Sequence, residues 1–265
     1  MTIGESYFLI SLLTGIGYLQ TSFTELAFFN KFSRAATYPL SAETVGSKKL
    51  SLFIVGSNKP LIHFFMFLKS ISGGLFLFFL FYDTIPFYLP VLLILFDQLG
   101  FFRFRLIGRS ETPLIRVVLT SLAIHLYAES SFISEIGLVF ISAMLSLAYF
   151  ASGYQKRKDP KWRNGTGVLN FTQRYLSGTQ LYSFLMRIQS PLRLLSYLVV
   201  FFELCFFLSL LHPNVAIVLF CFGALFHFGI SITAGINEFL WAFTGCYPAI
   251  FYVSHLVSEQ FRNFI

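Results

Sequence analysis

Charged residues are scarce in this chain, where they make up 12% of the 265 residues. Soluble domains carry about 25% charged residues, so the composition excludes an ordinary soluble domain. Hydrophobic residues instead reach 56%, and 36 residues are Phe, whose ring adds apolar area without a polar group. Together with a mean hydropathy of +0.72, this composition predicts an integral membrane protein with several spans.

Cysteine is also scarce, and the few cysteines form no recognisable framework. Cys205, Cys221 and Cys246 lie inside apolar runs, and no CxxC or Cys/His spacing connects them. An odd set of this kind argues against disulfides or a zinc site, so we expect these cysteines to be buried in packing. The chain also lacks HExxH, a carboxylate triad and a phosphate loop, and we expect no metal.

The net charge is +7, but the basic residues cluster in loops between apolar runs. This arrangement is typical of residues that orient a protein in a membrane, and it attracts anionic lipid head groups. We therefore expect membrane lipid as a partner and no nucleic acid.

Apolar runs of membrane length recur along the chain. A bilayer core requires about 20 mostly apolar residues per helix. On this criterion we predict about eight spans, with six or seven as alternatives, near 6–29, 61–82, 86–107, 113–128, 132–155, 191–211, 213–234 and 236–257. The predicted fold is an all-α polytopic transmembrane helical bundle, a single domain over residues 1–265, whose first span is retained rather than cleaved as a signal peptide.

Basic and non-basic loops alternate between these spans. The loop at 30–60, the connection after the third span and the loop after the fifth span are rich in Lys and Arg. Because such loops stay in the cytoplasm, we predict a multi-pass cell-membrane protein with its N-terminus outside. The loop at 30–60 is predicted to be irregular, with a short interfacial piece around 52–55. The loop after the fifth span is predicted to hold interfacial helices within 165–189.

Polar side chains inside spans are costly, so each is a candidate functional residue. They are Lys69, Asp97, His125, Glu203, His227, Asn237 and Glu238. Pairing between them is the structural alternative, for example Lys69 with Asp97 or with Glu203, because such pairs hold helices together.

A basic cluster follows an apolar helix directly within residues 147–177. The helix ends near Gly153, a cluster of Lys and Arg surrounds Trp162, and Gly165 is a candidate hinge. Lys156 lies just past the apolar helix, where partial desolvation disfavours the ammonium form and a lysine can act as a general base near neutral pH. The alternative is a lysine that reaches to the membrane interface and marks orientation.

The same stretch carries a recognisable motif. It reads Tyr149-Phe150-Ala-Ser-Gly153-Tyr-Gln-Lys156, then Asp159, Trp162, Gly165 and Tyr175-Leu176-Ser177. This resembles the membrane domain of vitamin K-dependent gamma-glutamyl carboxylase and its bacterial relatives, the horizontally transferred transmembrane (HTTM) domain proteins, with one extra residue before Trp162. Glu203, Phe226-His227 and the segments 235–239 and 247–251 are also similar to that family.

The resemblance implies a site, a cofactor and an activity. In the carboxylase, a lysine at the position matching Lys156 deprotonates vitamin K hydroquinone, oxygen then generates a strong base, and a glutamate loses a proton before CO₂ adds. It therefore implies Lys156, His227 and Glu203 as catalytic residues and a reduced, vitamin K-like quinone as cofactor. The side chains expected to bind the cofactor are Trp162, Tyr149, His125 and Asn237. The implied activity is that of a quinol- or oxygen-dependent, carboxylase-like lyase acting on a peptide or small substrate.

Two features differ from the carboxylase. A large extramembrane part that grips the substrate peptide is not seen, and the charge pattern places Lys156 on the cytoplasmic side, whereas the carboxylase works on the lumenal side. Short relatives include a sporulation-delay-type protein needed to mature a secreted antimicrobial peptide. The alternative function is thus a non-catalytic accessory factor for peptide maturation or export, with a peptide or protein partner docked at the basic loop.

Overall fold

The structure is a computed structural model, and it describes residues 1–27, 59–104, 111–128, 130–176, 180–234 and 237–264. Every regular element within these ranges is a helix, and they contain no strand, so the all-α prediction is confirmed for this part of the chain. The loop predicted to be irregular at 30–60, including its interfacial piece around 52–55, lies outside the described residues.

Twelve α-helices occur within the described ranges. They are α1 (Ile3–Ala27), α2 (Lys59–Phe81), α3 (Tyr88–Phe104), α4 (Glu111–Ala128), α5 (Ser131–Lys158), α6 (Pro160–Arg163), α7 (Gly167–Leu176), α8 (Gln180–Arg187), α9 (Gln189–Cys205), α10 (Pro213–Ala234), α11 (Asn237–Thr244) and α12 (Tyr247–Phe264). A 3-10 helix, Phe206–Leu210, extends α9. Each predicted span coincides with one of these helices or with two in succession, and the loop after the fifth span contains α6, α7 and α8.

Five helical segments in the described ranges are long and apolar enough to cross a membrane. They are Phe64–Phe81, Ser131–Lys158, Gln189–Leu210, Pro213–Thr233 and Asn237–Asn263. Two shorter apolar helices, Tyr88–Gln98 and Pro113–Ala128, accompany them. The helices thus fit an integral membrane protein, whereas the number of about eight spans stays a prediction.

The helix surfaces are covered by large apolar side chains. Phe81, Phe132, Val218 and Leu225 are each exposed by about 70%. Exposing apolar area to water costs about 25 cal/mol per Å², and a lipid environment removes this cost. Small hydroxyl residues are buried instead; the Ser142 hydroxyl, for example, donates to the carbonyl four residues earlier in its own helix. This distribution is typical of helices that pack against one another within a membrane.

The described chain forms two compact units. One is Tyr7–Gly137, in which α3 packs against both α2 and α4. The other combines Met1–Ser6 with Leu138–Ile265. In this second unit α7 packs against α6, α8, α9 and α10, and α10 also packs against α11 and α12. The single domain expected over the whole chain stays a prediction, and the candidate site described below lies within the second unit.

The turn between α5 and α7 follows from its local sequence. α5 ends at Lys158, and the Asp159 carboxylate then caps α6 by accepting a hydrogen bond from the backbone N–H of Lys161 at 2.9 Å. Gly165 has a φ of +70°, a left-handed conformation that glycine adopts without a steric penalty. The chain can therefore reverse at the predicted hinge, and α7 returns to pack against α9.

Candidate functional site

Three polar side chains lie on one face of α5. Tyr149, Ser152 and Lys156 are spaced i, i+3 and i+7, which aligns side chains along one side of an α-helix. Each of them contacts a polar side chain from another helix of the same unit. This face of α5 therefore contributes to two polar clusters within the second unit, one around Lys156 and one around Tyr149.

The first cluster is a buried ion pair between α5 and α9. The Nζ atom of Lys156 donates to Oε1 of Glu203 at 2.5 Å and to Oγ of Ser152 at 2.8 Å. The Ser152 hydroxyl in turn donates to the same carboxylate oxygen at 3.2 Å. The side chain of Glu203 is 4% exposed and that of Lys156 is 20% exposed, so both charges are largely removed from water. Desolvation of two charges is tolerated because each compensates the other.

This ion pair leaves hydrogen-bonding capacity unused. The contacts to Ser152 and Glu203 use two of the three ammonium protons of Lys156. The Oε2 atom of Glu203 is buried and has no hydrogen-bond partner among the described residues. In addition, Nζ lies 5.2 Å from the centre of the Trp162 ring, a cation–π distance. The third ammonium proton of Lys156 is therefore available as a hydrogen-bond donor, whereas Oε2 of Glu203 is a buried acceptor.

Gly153 allows α5 to approach α9 closely enough for this pair to form. A Cβ atom at Gly153 would lie 2.9 Å from the Cβ atom of Glu203 and 2.9 Å from the backbone nitrogen of Leu204. Both neighbours belong to the rigid part of α9, so any larger residue would push the two helices apart. The short distance between Lys156 and Glu203 thus depends on the absence of a side chain at Gly153.

A cavity of about 460 Å³ adjoins Lys156 within the second unit. This volume lies within the range of about 300–1,000 Å³ typical of small-molecule sites. Its walls come from α5 to α10 and are formed by Lys156, Trp162, Val168, Phe171, Thr172, Leu185, Leu192, Leu195, Val199, Phe222, Leu225, Phe226, Gly229, Ile230 and Thr233. Lys156 is the charged residue in this set, and the remaining wall is mostly aliphatic or aromatic.

The second polar cluster lies around Tyr149 and is enclosed by aromatic rings. The Tyr149 hydroxyl lies 2.7 Å from Nε2 of His227 and 3.0 Å from the Tyr247 hydroxyl. All three side chains are buried, and Nδ1 of His227 has no hydrogen-bond partner among the described residues. The rings of Phe206 and Phe243 pack against Tyr149 with centroids 3.9 and 5.0 Å away. His227 therefore lies in an aromatic core and does not line the cavity.

The structure places the other predicted cofactor-binding residues as follows. Trp162 lines the cavity beside Lys156, whereas Tyr149 contacts His227. Asn237, at the start of α11, accepts a hydrogen bond from the Ser231 hydroxyl. His125 belongs to the unit Tyr7–Gly137, where its Nδ1 atom lies 2.6 Å from the Ser134 hydroxyl and its ring stacks on Tyr7. The roles of all these residues stay predictions.

The structure also resolves the pairings considered for the ionisable groups. Asp97 forms an ion pair with Arg116 at 2.8 Å, and Glu203 forms one with Lys156. The Nζ atom of Lys69 lies 5.2 Å from the centre of the Tyr18 ring.

The cysteines are free, and Cys221 is exposed on α10 rather than buried, because that side of the helix faces away from the unit's interior. The described ranges contain no group of three or more His, Cys, Asp or Glu residues that could hold a metal.

Sequence reasoning missed several residues of the site. Ser152 links Lys156 to Glu203, and its position four residues before Lys156 was the available signal, because i and i+4 share a helix face. The apolar wall of the cavity comes from six helices, and no local pattern connects its members. Gly153 and Tyr247 were noted as motif residues and not as parts of the site.

No family model matches the chain, and neither a curated protein nor a solved structure matches it. The described fold and site nevertheless define a class: an all-helical integral membrane protein that contains a buried Lys–Glu pair beside an apolar cavity. The relation to the HTTM family stays a prediction, based on the residues quoted above.

Proposed function

We propose that this membrane protein binds a reduced quinone in the cavity beside Lys156 and that Lys156 accepts a proton from one of its hydroxyl groups. The observation that carries the proposal is the position of Lys156, which lines an apolar cavity while forming an ion pair with Glu203. The predicted resemblance to the HTTM family extends the proposal to quinol- or oxygen-dependent modification of a peptide or small substrate.

The cavity suits a ligand that is apolar apart from one polar edge. The unused ammonium proton of Lys156 provides a hydrogen-bond donor in the wall of the cavity. The Trp162 ring, which lies beside Lys156, offers an aromatic face for stacking. A phenolic ring therefore fits this end of the cavity better than a highly charged or sugar-like molecule does.

The Lys156–Glu203 pair also provides a way to move a proton. A reduced quinone, when bound, supplies an acidic hydroxyl group and two electrons that oxygen can accept. Lys156 can accept a proton only as the neutral amine, so its own proton must first pass to the Glu203 carboxylate with which Nζ is paired. Nζ would then take up the hydroxyl proton as its third N–H bond, and the resulting ammonium would remain beside the oxygen of the bound quinol.

Tryptophan fluorescence provides a direct binding test, because the chain has two tryptophans, Trp162 and Trp241. Of these, Trp162 lines the cavity. A naphthoquinone titrated into the protein in nanodiscs should quench the tryptophan fluorescence of the Trp241→Phe variant, which retains Trp162. It should quench the Trp162→Phe variant much less. Equal, saturable quenching of both variants would place the ligand elsewhere and contradict the proposal.

Catalysis is tested with a matched pair of lysines on α5. Lys156→Met should reduce the rate at which oxygen oxidises the reduced quinone to the rate without protein. Lys158→Met should retain the faster rate of the unmodified protein. Lys158 is a suitable control because it is exposed and its Nζ atom lies over the Tyr154 ring at 4.2 Å. If Lys156→Met keeps full activity at unchanged expression, Lys156 is not the base.

A second candidate function, an accessory role in peptide maturation or export, is favoured by one feature. The end of α5 and the following helices carry exposed cations that no described carboxylate pairs with: Arg157, Lys158, Lys161, Arg163 and Arg174. Such a group attracts an acidic peptide or protein. Replacing these cations by Gln should release a co-purified peptide if this role is correct, and it should leave quinone binding unchanged.

A further inference from the structure

Two buried serines of the second unit lack the hydrogen bond that is usual for serines in apolar helices. Ser70, Ser142 and Ser196 each donate their hydroxyl proton to the backbone carbonyl four residues earlier in the same helix. Ser146 of α5 and Ser209 of the 3-10 helix are 8% and 0% exposed, yet their Oγ atoms have no hydrogen-bond partner among the described residues. Because an unpaired buried hydroxyl costs free energy, these two positions call for a further polar neighbour.

The two serines lie at the same level of the interface between α5 and α9. Close to its C-terminal end, α5 contacts α9 at Glu203. About one turn earlier in α5, Tyr149 packs against Phe206, three positions later in the chain than Glu203. The two helical segments are therefore antiparallel, and the same register, continued by three residues, brings Ser146 opposite Ser209.

This interface thus contains unpaired polar atoms at three successive levels. They are Oε2 of Glu203, then Nδ1 of His227 beside Tyr149, and then the hydroxyls of Ser146 and Ser209. Three or four residues of α5 separate adjacent levels, which is about one helical turn, or about 5.4 Å. Two hydrogen bonds through one water molecule span about 5.6 Å. A single bound water molecule therefore has the right length to bridge each level to the next.

The groups at these levels can also pass a proton on. Hydroxyl, imidazole and carboxyl groups each accept a proton at one position and release one from another. The series begins at Glu203, the group that takes the proton of Lys156 in the proposed function. It ends at Ser209, three positions before His212, which is exposed. The levels therefore lead from the ion pair toward the surface of the helices.

From these observations we infer that internal water molecules bridge the three levels and that protons leave the Lys156–Glu203 pair along them, toward Ser146 and Ser209. The O–H bond of the protonated Glu203 carboxyl breaks, the neighbouring water takes up that proton, and each later step breaks one O–H or N–H bond and forms another. Glu203 returns to the carboxylate, which restores the ion pair. The inference rests on the proposed function for the source of the proton, whereas the water is bound without any ligand.

Bound water is tested by solid-state NMR of serine-labelled protein in lipid bilayers, with magnetisation transferred from water. The signals of Ser146 and Ser209, assigned by their loss in the Ser146→Ala and Ser209→Ala variants, should receive at least about threefold more magnetisation than that of Ser142. Ser142 is the matched control, because it is buried about one turn away in α5 and its hydroxyl is used within the helix. If Ser146 and Ser209 receive no more magnetisation than Ser142, the inference is overturned.

Proton release is tested by mixing the protein and reduced quinone rapidly with oxygen. The double variant Ser146→Ala/Ser209→Ala should keep the rate of the first turnover within about twofold and lower the rate of later turnovers at least about tenfold, because Glu203 can accept one proton but cannot release it. Ser142→Ala should keep both rates.

The remaining outcomes separate the inference from the proposed function. If the double variant keeps both rates, or loses both by the same factor, the proton path is overturned while quinol oxidation stands. If the unmodified protein oxidises no reduced quinone, the proposed function fails and the path loses its source of protons, and the NMR comparison alone decides whether the water is bound.

Discussion

The Nζ atom of Lys156 and the Oε1 atom of Glu203 lie 2.5 Å apart, although 47 positions separate the two residues in the chain. The contact joins the end of α5 to the centre of a membrane-length helical segment, Gln189–Leu210. It places the Lys156 ammonium group, paired with the Glu203 carboxylate, in the wall of an apolar cavity. Both the stability of the unit and the proposed chemistry depend on this pair.

Removing one partner of the pair should destabilise the protein strongly. Lys156→Met leaves the Glu203 carboxylate buried without its counter-charge, and the loss of a single partner of a buried pair costs about 3–5 kcal/mol. The double variant Lys156→Met/Glu203→Leu should lose less than the sum of the single variants, because no unpaired charge remains. Thermal or denaturant unfolding in detergent micelles measures these differences. The free energy of unfolding of Lys158→Met should stay within about 0.5 kcal/mol of that of the unmodified protein. An equal loss of stability in both lysine variants would contradict the pairing.

Gly153→Ala should weaken the packing of α5 against α9. The added Cβ atom would lie 2.9 Å from the backbone nitrogen of Leu204, so the helices must separate at a cost of about 1–3 kcal/mol. Unfolding of the purified variant measures the effect. Gly74→Ala is the control, and it should be neutral or stabilising by up to about 1 kcal/mol, since alanine favours helix and meets no neighbour there. A stabilised Gly153→Ala variant would show that the helices are not in close contact.

Tyr149→Phe should destabilise the aromatic cluster. The substitution removes the hydroxyl that lies 2.7 Å from Nε2 of His227, and leaving that nitrogen unpaired in a buried position costs about 1–3 kcal/mol. Tyr154→Phe, an exposed change on the same helix, should have little effect. The double variant Tyr149→Phe/His227→Phe should recover part of the loss, because it removes both polar groups. Identical melting temperatures for Tyr149→Phe and Tyr154→Phe would rule out this hydrogen bond.

Cysteine labelling tests the predicted orientation in the membrane. In a variant with the three native cysteines replaced, a cysteine introduced at Lys161 should react with an impermeant maleimide only from the cytoplasmic side. One introduced at Thr84 should react only from outside, because Lys- and Arg-rich loops stay in the cytoplasm. Both positions are exposed in the structure. Labelling of the two positions from the same side would exclude the alternation of loops on which the predicted topology rests.

The helices themselves were largely predictable, because their signals are local. Long apolar runs identified the helices α2, α5, α9 and α10, whose bounds differ from the predicted spans by a few residues. The amphipathic spacing within 165–189 identified α7 and α8, since apolar residues recur there at the helical period. The turn at Gly165 was also indicated by the residue type.

The arrangement of the helices was not predictable in the same way. α10 is apolar on all sides, so hydrophobic periodicity cannot tell which face of it packs and which meets lipid. The suggested partner of Asp97 was Lys69, and the structure pairs it with Arg116 instead. Among several costly charges in apolar helices, the sequence alone does not say which lie close enough to compensate each other.

For this protein, composition and apolar run lengths determined an all-helical membrane protein, because each helix satisfies its backbone hydrogen bonds within its own segment and needs only enough apolar residues to remain in lipid. Tertiary packing alone decided that Lys156 meets Glu203, that Tyr149 meets His227, and that Gly229 borders a cavity. These contacts depend on how separate helices rotate and approach one another. Side-chain packing between residues that lie 47 and 78 positions apart in the chain sets that arrangement, and no local pattern encodes it.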